Sequence, residues 1–259
     1  MHKIGLKIWS TNSFYVKPAL DLYERLVFDY IELYITPGSQ KEYLKIWQEV
    51  EIPFILHAPH SFSGLNLSLS EFEKKNRELI EEVEYFRNVL SPEMIIFHPG
   101  TDGSINETIR QIKLFKSEYN KVFDRVLIEN KPKVGLNEES CLGASPEEIK
   151  RVIEETDVGF CLDIGHAVCY ASWAGLEWAS VVKNFIRLSP EMYHLSDGDV
   201  RSTKDSHPHL GEGNYDLYKM IRMIPLNAFV SIETGKNTEI DLDDFEGDVK
   251  YYRRILCGV

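Results

Sequence analysis

The sequence predicts an α/β chain folded as one (β/α)₈ TIM barrel domain over residues 1–259. Three observations predict it. Eight short apolar runs alternate with longer amphipathic segments, the pattern of a parallel sheet wrapped in helices. The short runs are nearly continuously apolar and rich in Ile, Val, Phe and Tyr, as strands buried on both faces should be. The stretch after the first run, Lys7-Ile8-Trp9-Ser10-Thr11-Asn12, holds no glycine. A doubly wound open sheet would usually carry a Gly-rich phosphate loop there.

In chain order the strand-like runs cover residues 4–9, 30–35, 53–58, 94–98, 125–130, 158–164, 191–196 and 228–234. Among the connecting segments, 70–90 opens with Ser and Glu and repeats apolar residues at helical spacing. Ser145-Pro146-Glu147-Glu148 reads as an N-cap followed by proline at the first helical position. Segments 214–224 and 245–256 complete the helical set. No internal repeat, low-complexity tract or linker divides the chain, so eight strand–helix units fill a single domain.

Composition narrows the function classes. Asp plus Glu number 41 against 29 Lys plus Arg, a net charge of −12. This argues against a histone-like or coat-like nucleic-acid binder, whose affinity would rest on a basic surface, but not against an enzyme that grips a phosphate through metal ions. No apolar run approaches the roughly 20 residues of a membrane span. The start, Met-His-Lys-Ile-Gly, lacks a signal-peptide pattern. The four cysteines, Cys141, Cys161, Cys169 and Cys257, show no CxxC spacing, so a reducing cytoplasm is the expected compartment.

The positions of the polar residues carry the functional signal. Run three ends at His57, with His60 three residues on, and run four ends at His98. Run five ends at Glu129-Asn130. Run six ends at Asp163, with His166 in the following turn. Run seven carries His194, the next loop holds Asp205, His207 and His209, and run eight carries Glu233. In a parallel barrel these C-terminal ends converge on one mouth, where such enzymes keep their active sites. One such residue alone is commonly a hydrogen-bonded structural group. Carboxylates inside apolar runs, however, are costly unless paired or bound to metal, and a multinuclear metal site explains all of them at once. Imidazole plus carboxylate without thiolate suits Zn²⁺, with Mn²⁺ or Fe²⁺ as alternatives. So many ligands are too many for one ion and fit two or three. Cys161 shares the inward parity of Asp163 but is more simply a small core residue.

These residues resemble the endonuclease IV family (AP endonuclease family 2) within the xylose isomerase-like TIM barrels. The matching segments, in family order, are Phe97-His98-Pro99-Gly100, Ile128-Glu129-Asn130, Cys161-Leu162-Asp163-Ile164-Gly165-His166-Ala167, His194-Leu195-Ser196-Asp197, Asp205-Ser206-His207 with Leu210-Gly211-Glu212-Gly213-Asn214, and Ile232-Glu233-Thr234. The resemblance implies a three-zinc site. Glu129 would bridge two ions, Asp163, His194 and Glu233 would complete that pair's shell, and His98 would hold one of its ions. His166, Asp205 and His207 would hold the third. Two histidines compete for the ninth position: His57, preferred because it sits at the strand end, and His60, which keeps the family spacing to Asn66-Leu67. His209 is then spare. The implied chemistry is hydrolysis of a phosphate ester or phosphodiester by metal-activated water, with Glu129 and Glu233 as catalytic carboxylates and abasic DNA or a small phosphate compound as substrate. Gly211 and Gly213 would let the loop backbone approach the site, or would only make its turn.

The resemblance is uneven. The loop after run two, Thr36-Pro37-Gly38-Ser39-Gln40-Lys41, has none of the family's DNA-gripping arginine. Ser61-Phe62-Ser63-Gly64-Leu65 does not reproduce its Tyr–Leu wedge. The alternative within the superfamily is a sugar isomerase or epimerase holding one Mn²⁺ by Glu129, Asp163, His194 and Glu233. Against it, the epimerases' helper Glu would fall at Gly135, and one ion leaves Asp205 and His207 without use. Arg201, near the position of their substrate-binding Arg, speaks for it. A metal-binding protein without catalysis is a third reading, disfavoured because open ligand positions at a barrel mouth invite water activation.

Overall fold

The computed structural model describes residues 1–258. Eight parallel strands close into one ring in chain order: β1 (Lys3–Trp9), β2 (Tyr30–Tyr34), β3 (Phe54–His57), β4 (Ile95–Phe97), β5 (Val126–Glu129), β6 (Gly159–Asp163), β7 (Met192–Leu195) and β8 (Phe229–Ile232), with β8 pairing back onto β1. The predicted (β/α)₈ barrel is therefore the observed one.

Among the described residues, ten α-helices surround it: α1 (Val16–Glu24), α2 (Gln40–Gln48), α3 (Glu73–Leu90), α4 (Ile105–Glu118), α5 (Asn120–Phe123), α6 (Pro146–Thr156), α7 (Ile164–Ala174), α8 (Trp178–Ile186), α9 (Leu217–Met223) and α10 (Asp243–Cys257). The sequence predicted eight. The β4–β5 connection is split at Tyr119, whose ψ of 51° leaves the helical region, and the β6–β7 connection is split at Gly175. There a left-handed glycine ends α7, and the Glu177 side chain caps α8 by accepting from Ser180 N. Ser145 caps α6 as expected, accepting from Glu148 N. The helix predicted over 214–224 begins only at Leu217, because Asn214 spends its amide on Val200 and Asp199 and Asp216 takes the cap.

Strand periodicity sorts the side chains. Ile31, Leu33, Leu56, Phe97, Ile128, Leu162, Tyr193 and Val230 point outward into the large core beneath the helices. The alternate residues face the barrel axis in two tiers. The lower tier is apolar or small: Tyr30, Ile55, Ile96, Leu127, Cys161 and Met192 form one cluster. Gly5 and Ser231 complete it, Gly5 leaving room for the Tyr30 ring, which a Cβ there would meet at 2.4 Å. Two residues further along each strand direction lie Lys7, Glu32, His57, His98, Glu129, Asp163, His194 and Glu233, one per strand, all at the C-terminal mouth. Every one of these eight is polar.

Candidate metal centre

The upper tier converges on Glu129, a buried carboxylate at the end of β5. Its Oε2 lies 3.1 Å from His57 Nε2, 3.0 Å from His98 Nε2 and 3.4 Å from His194 Nδ1, and its Oε1 lies 3.2 Å from His166 Nδ1. Asp163 ends β6 and caps α7, its Oδ1 accepting from His166 N at 2.6 Å, which seats His166 in the first helical turn. The Asn130 amide locks the ends of β5 and β6 together, donating to Asp163 O and accepting from Asp163 N.

Donor atoms within 4.8 Å of one another form several adjoining sets. One is His57, His60 and His98. Two more share Glu129, one with Asp163 and His166 and the other with Cys161 and His194. A fourth is His166, Asp205 and His207, and a fifth is Glu32, His194 and Glu233. The structure thus brings together all ten residues singled out from the sequence, including both histidines that competed for one position. His57 is fully buried, and the His60 ring lies flat on His98 at 4.6 Å.

Hydrogen bonding fixes how these groups present themselves. His57 Nδ1–H donates to Ala58 O, and His166 Nδ1–H donates to Asn130 O, both at 2.8 Å. In a neutral ring this leaves the Nε2 lone pair pointing inward, at Glu129 for His57 and toward Asp205, 3.5 Å away, for His166. Lone pairs then face carboxylate oxygens, an arrangement that needs a proton or a cation between them. Other atoms tell the same story. His60 Nδ1, both His194 nitrogens, Asp205 Oδ2 and His207 Nδ1 are buried without an aligned hydrogen-bond partner among the described residues, although His194 Nδ1 lies 2.6 Å from Glu233 Oε1. The donor set fits metal ions.

The electrostatics of the ion-free protein divide the site. Burial, aided by the neighbouring histidines and Lys131, holds His60 and His98 well below the ordinary histidine value, ready to offer lone pairs. Burial also pulls on His166, but Asp163, Asp205 and Glu129 outweigh it and push it up to about 10. Burial and the repulsion of Asp205, Glu233 and Glu129 push Asp163 up to about 6 against the pull of His166. Burial raises the Cys161 thiol to about 12, which suits its place in the apolar lower tier.

Asp205 and His207 stand on the loop between β7 and α9, and His166 meets them from α7. His207 adopts a left-handed backbone with φ of 47°, and its ring faces Asp205. Asp197 holds this loop shut, its carboxylate accepting from the backbone N–H of Gly198, Gly211 and Tyr215. Gly213 is needed for that closure, since a Cβ would meet Gly198 O at 2.3 Å. The two loop glycines therefore make the turn instead of approaching the site. His209 is outside the cluster: its Nδ1 pairs with Asp248 of α10 at 2.8 Å, and Asp248 also accepts from Thr234 and Leu210 N.

Two upper-tier residues were not picked out from sequence. Lys7 and Glu32 are register partners on β1 and β2, and the Lys7 ammonium lies 3.1 Å from Glu32 and bonds Glu233. Burial would lower the Lys7 pKa, but Glu233, Glu32 and Glu129 hold it well above the ordinary lysine value. Glu32 in turn faces His194 Nε2 at 3.0 Å. A signal was available: both are charges inside apolar strand runs, the same anomaly that marked Glu129, Asp163 and Glu233.

A family model described as xylose isomerase-like TIM barrel matches residues 20–254. A probable endonuclease 4 of Thermoplasma volcanium is 28% identical over 241 residues, covering 85% of this chain and 81% of the relative. Among solved structures, endonuclease IV from Thermus thermophilus superposes with a TM-score of 0.69 at 18% identity over 99% of this chain and 100% of the other. A D-tagatose 3-epimerase-like protein gives 0.67 at 21% identity over 99% and 98%. With a match over nearly its whole length, the chain belongs to the xylose isomerase-like TIM barrel family, AP endonuclease family 2.

Proposed function

We propose that this protein is a metal-dependent enzyme that hydrolyses a phosphate ester or phosphodiester at the barrel mouth. One observation carries the reading: the set His166, Asp205 and His207 lies beside the Glu129-centred sets, giving more inward donors than one ion can use. Two or three zinc ions, or manganese or iron in their place, would supply Lewis acidity at the phosphoryl group and an activated water. His57, His60 and His98 would hold one ion with Glu129. Asp163, His194 and Glu233 would share Glu129 with a second, and His166, Asp205 and His207 would hold the third. Glu129, with histidine nitrogens close to both of its oxygens, would orient the attacking water. Lys7 fixes Glu233 in place through its ion pair. The fixed Nδ1–H bonds of His57 and His166 hold those rings without reorganisation during the reaction. No side chain need act as covalent nucleophile. The four cysteines are free thiols, which fits a cytoplasmic setting. No helix among the described residues is long and apolar enough to cross a membrane.

A metal count on protein purified without chelator tests this reading. Two or three zinc per chain supports it, and one manganese per chain speaks for an isomerase. Incubation of the loaded protein with a duplex carrying one abasic site then tests DNA as the substrate, and absence of nicking removes DNA from the reading. One feature favours the isomerase as second reading. The Glu139 carboxylate lies against Gly135 and lines the mouth beside His166, so a carboxylate reaches the region where the epimerases' helper Glu falls.

A further inference from the structure

Barrel stagger brings one lower-tier residue level with the metal centre. Glu129, at the mouth end of β5, is the register partner of Cys161 on β6 and not of Asp163. Both side chains point to the barrel axis, and a parallel ladder holds such partners about 4.8 Å apart. Cys161 is fully buried and packs with Tyr30, Leu127 and Met192. Its Sγ, a Glu129 oxygen and a His194 nitrogen lie within 4.8 Å of one another. With bonds of about 2.3 Å to sulfur and about 2.0 Å to nitrogen and oxygen, a tetrahedral ion gathers such donors after small side-chain shifts.

A buried thiol is by itself ordinary core filling. Two observations set this one apart. Cys141 and Cys169 are buried as well, yet neither belongs to a metal-capable set among the described residues. The His194 ring that Cys161 meets is fully buried, and both of its nitrogens lack an aligned hydrogen-bond partner there. Burial raises the Cys161 thiol to about 12, so the ion-free protein carries it neutral. A bound ion takes the sulfur as thiolate, and the thiol proton leaves to solvent. Thiolate favours zinc, whereas manganese and magnesium prefer oxygen ligands.

We propose that Cys161, with Glu129 and His194, forms a thiolate ion position at the floor of the mouth, and that this sulfur makes the centre take zinc in preference to manganese. The inference rests on the metal-dependent reading above, but not on which reaction the ions serve. Glu129 and His194 also belong to the neighbouring sets, so an ion at the floor is part of the same centre.

Cobalt(II), a visible stand-in for zinc, tests it by titration into the chelator-treated protein. A thiolate bound to cobalt gives a near-ultraviolet charge-transfer band that imidazole and carboxylate do not give. The band should appear in the wild-type protein, persist in Cys257→Ser, which lacks the exposed thiol, and vanish in Cys161→Ser. In competition titrations Cys161→Ser should bind zinc about tenfold or more weakly and manganese as before. If Cys161→Ser does not fold, zinc-edge X-ray absorption of loaded Cys257→Ser protein decides: a sulfur neighbour at about 2.3 Å supports the inference, and a shell of nitrogen and oxygen alone overturns it. If cobalt binds without the band, or the band survives in Cys161→Ser, this inference falls and the metal-dependent reading stands. If neither cobalt nor zinc binds the protein, both fall.

Discussion

The two tiers inside the barrel are separated by two residues on every strand and differ completely in chemistry. The lower tier, Gly5, Tyr30, Ile55, Ile96, Leu127, Cys161, Met192 and Ser231, is packed and largely apolar. The upper tier is Lys7, Glu32, His57, His98, Glu129, Asp163, His194 and Glu233. Apart from half-buried Lys7, both are buried, so exposure does not distinguish them. What differs is satisfaction. Lower-tier groups meet hydrocarbon, or a single partner such as Tyr30 on Ser231 at 3.1 Å. Upper-tier groups crowd acceptors against acceptors and leave lone pairs unmatched. Burial alone marks a core; burial with unmatched lone pairs marks a site.

Substitutions in the two tiers should separate stability from chemistry. Glu129→Gln should have the largest effect on activity, a loss of about a thousandfold or more in kcat, because one carboxylate serves several donor sets. Its lower-tier counterpart, Met192→Ala, should cost about 2–5 kcal/mol of stability and leave the metals bound per chain unchanged. Elemental analysis and denaturant unfolding of the two variants would show whether the tiers are independent; loss of metal from Met192→Ala would erase the distinction. Asp205→Ala should remove one ion per chain and about a hundredfold of activity, whereas a one-metal isomerase would hardly notice it. Glu32→Gln should weaken metal binding by roughly 10- to 100-fold through His194, with Glu32→Asp recovering part of it. Unchanged affinity in a competition titration would reduce Glu32 to a partner of Lys7.

The smallest effect concerns pH. In the ion-free protein the charged His166 is stabilised by Asp163, Asp205 and Glu129 against the cost of its burial. That stabilisation is fully present below the ordinary histidine value of about 6.5 and is lost as pH rises through about 10. The chelator-treated protein should therefore melt at progressively lower temperature between those limits. The zinc-loaded protein should gain metal affinity over the same range, because binding must displace that proton. A flat melting profile without metal would mean that His166 is not charged in the fold.

Legibility followed locality. The strand ends carrying His98, Glu129, Asp163, His194 and Glu233 could be read because each is a polar residue in an apolar run, and the Ser145 cap because it is a four-residue pattern. The extra helices were missed because Tyr119 and Gly175 break their segments without a proline. Lys7 and Glu32 carried the same local anomaly, but their meaning needed a partner: Lys7 meets Glu233 across 226 positions of chain. His57 and His60 looked like rivals along the sequence and are neighbours in space.

By itself the sequence determined the fold class and the kinds of donor at the mouth, since period-two alternation and strand–helix alternation are properties of short windows. Only the tertiary structure decided which donors share a point, that Asp197 closes the loop carrying Asp205 and His207, and that Asp248 takes His209 away. Those facts depend on ring closure, which sets β8 beside β1 and brings distant residues within a few ångströms, and no local pattern encodes that distance.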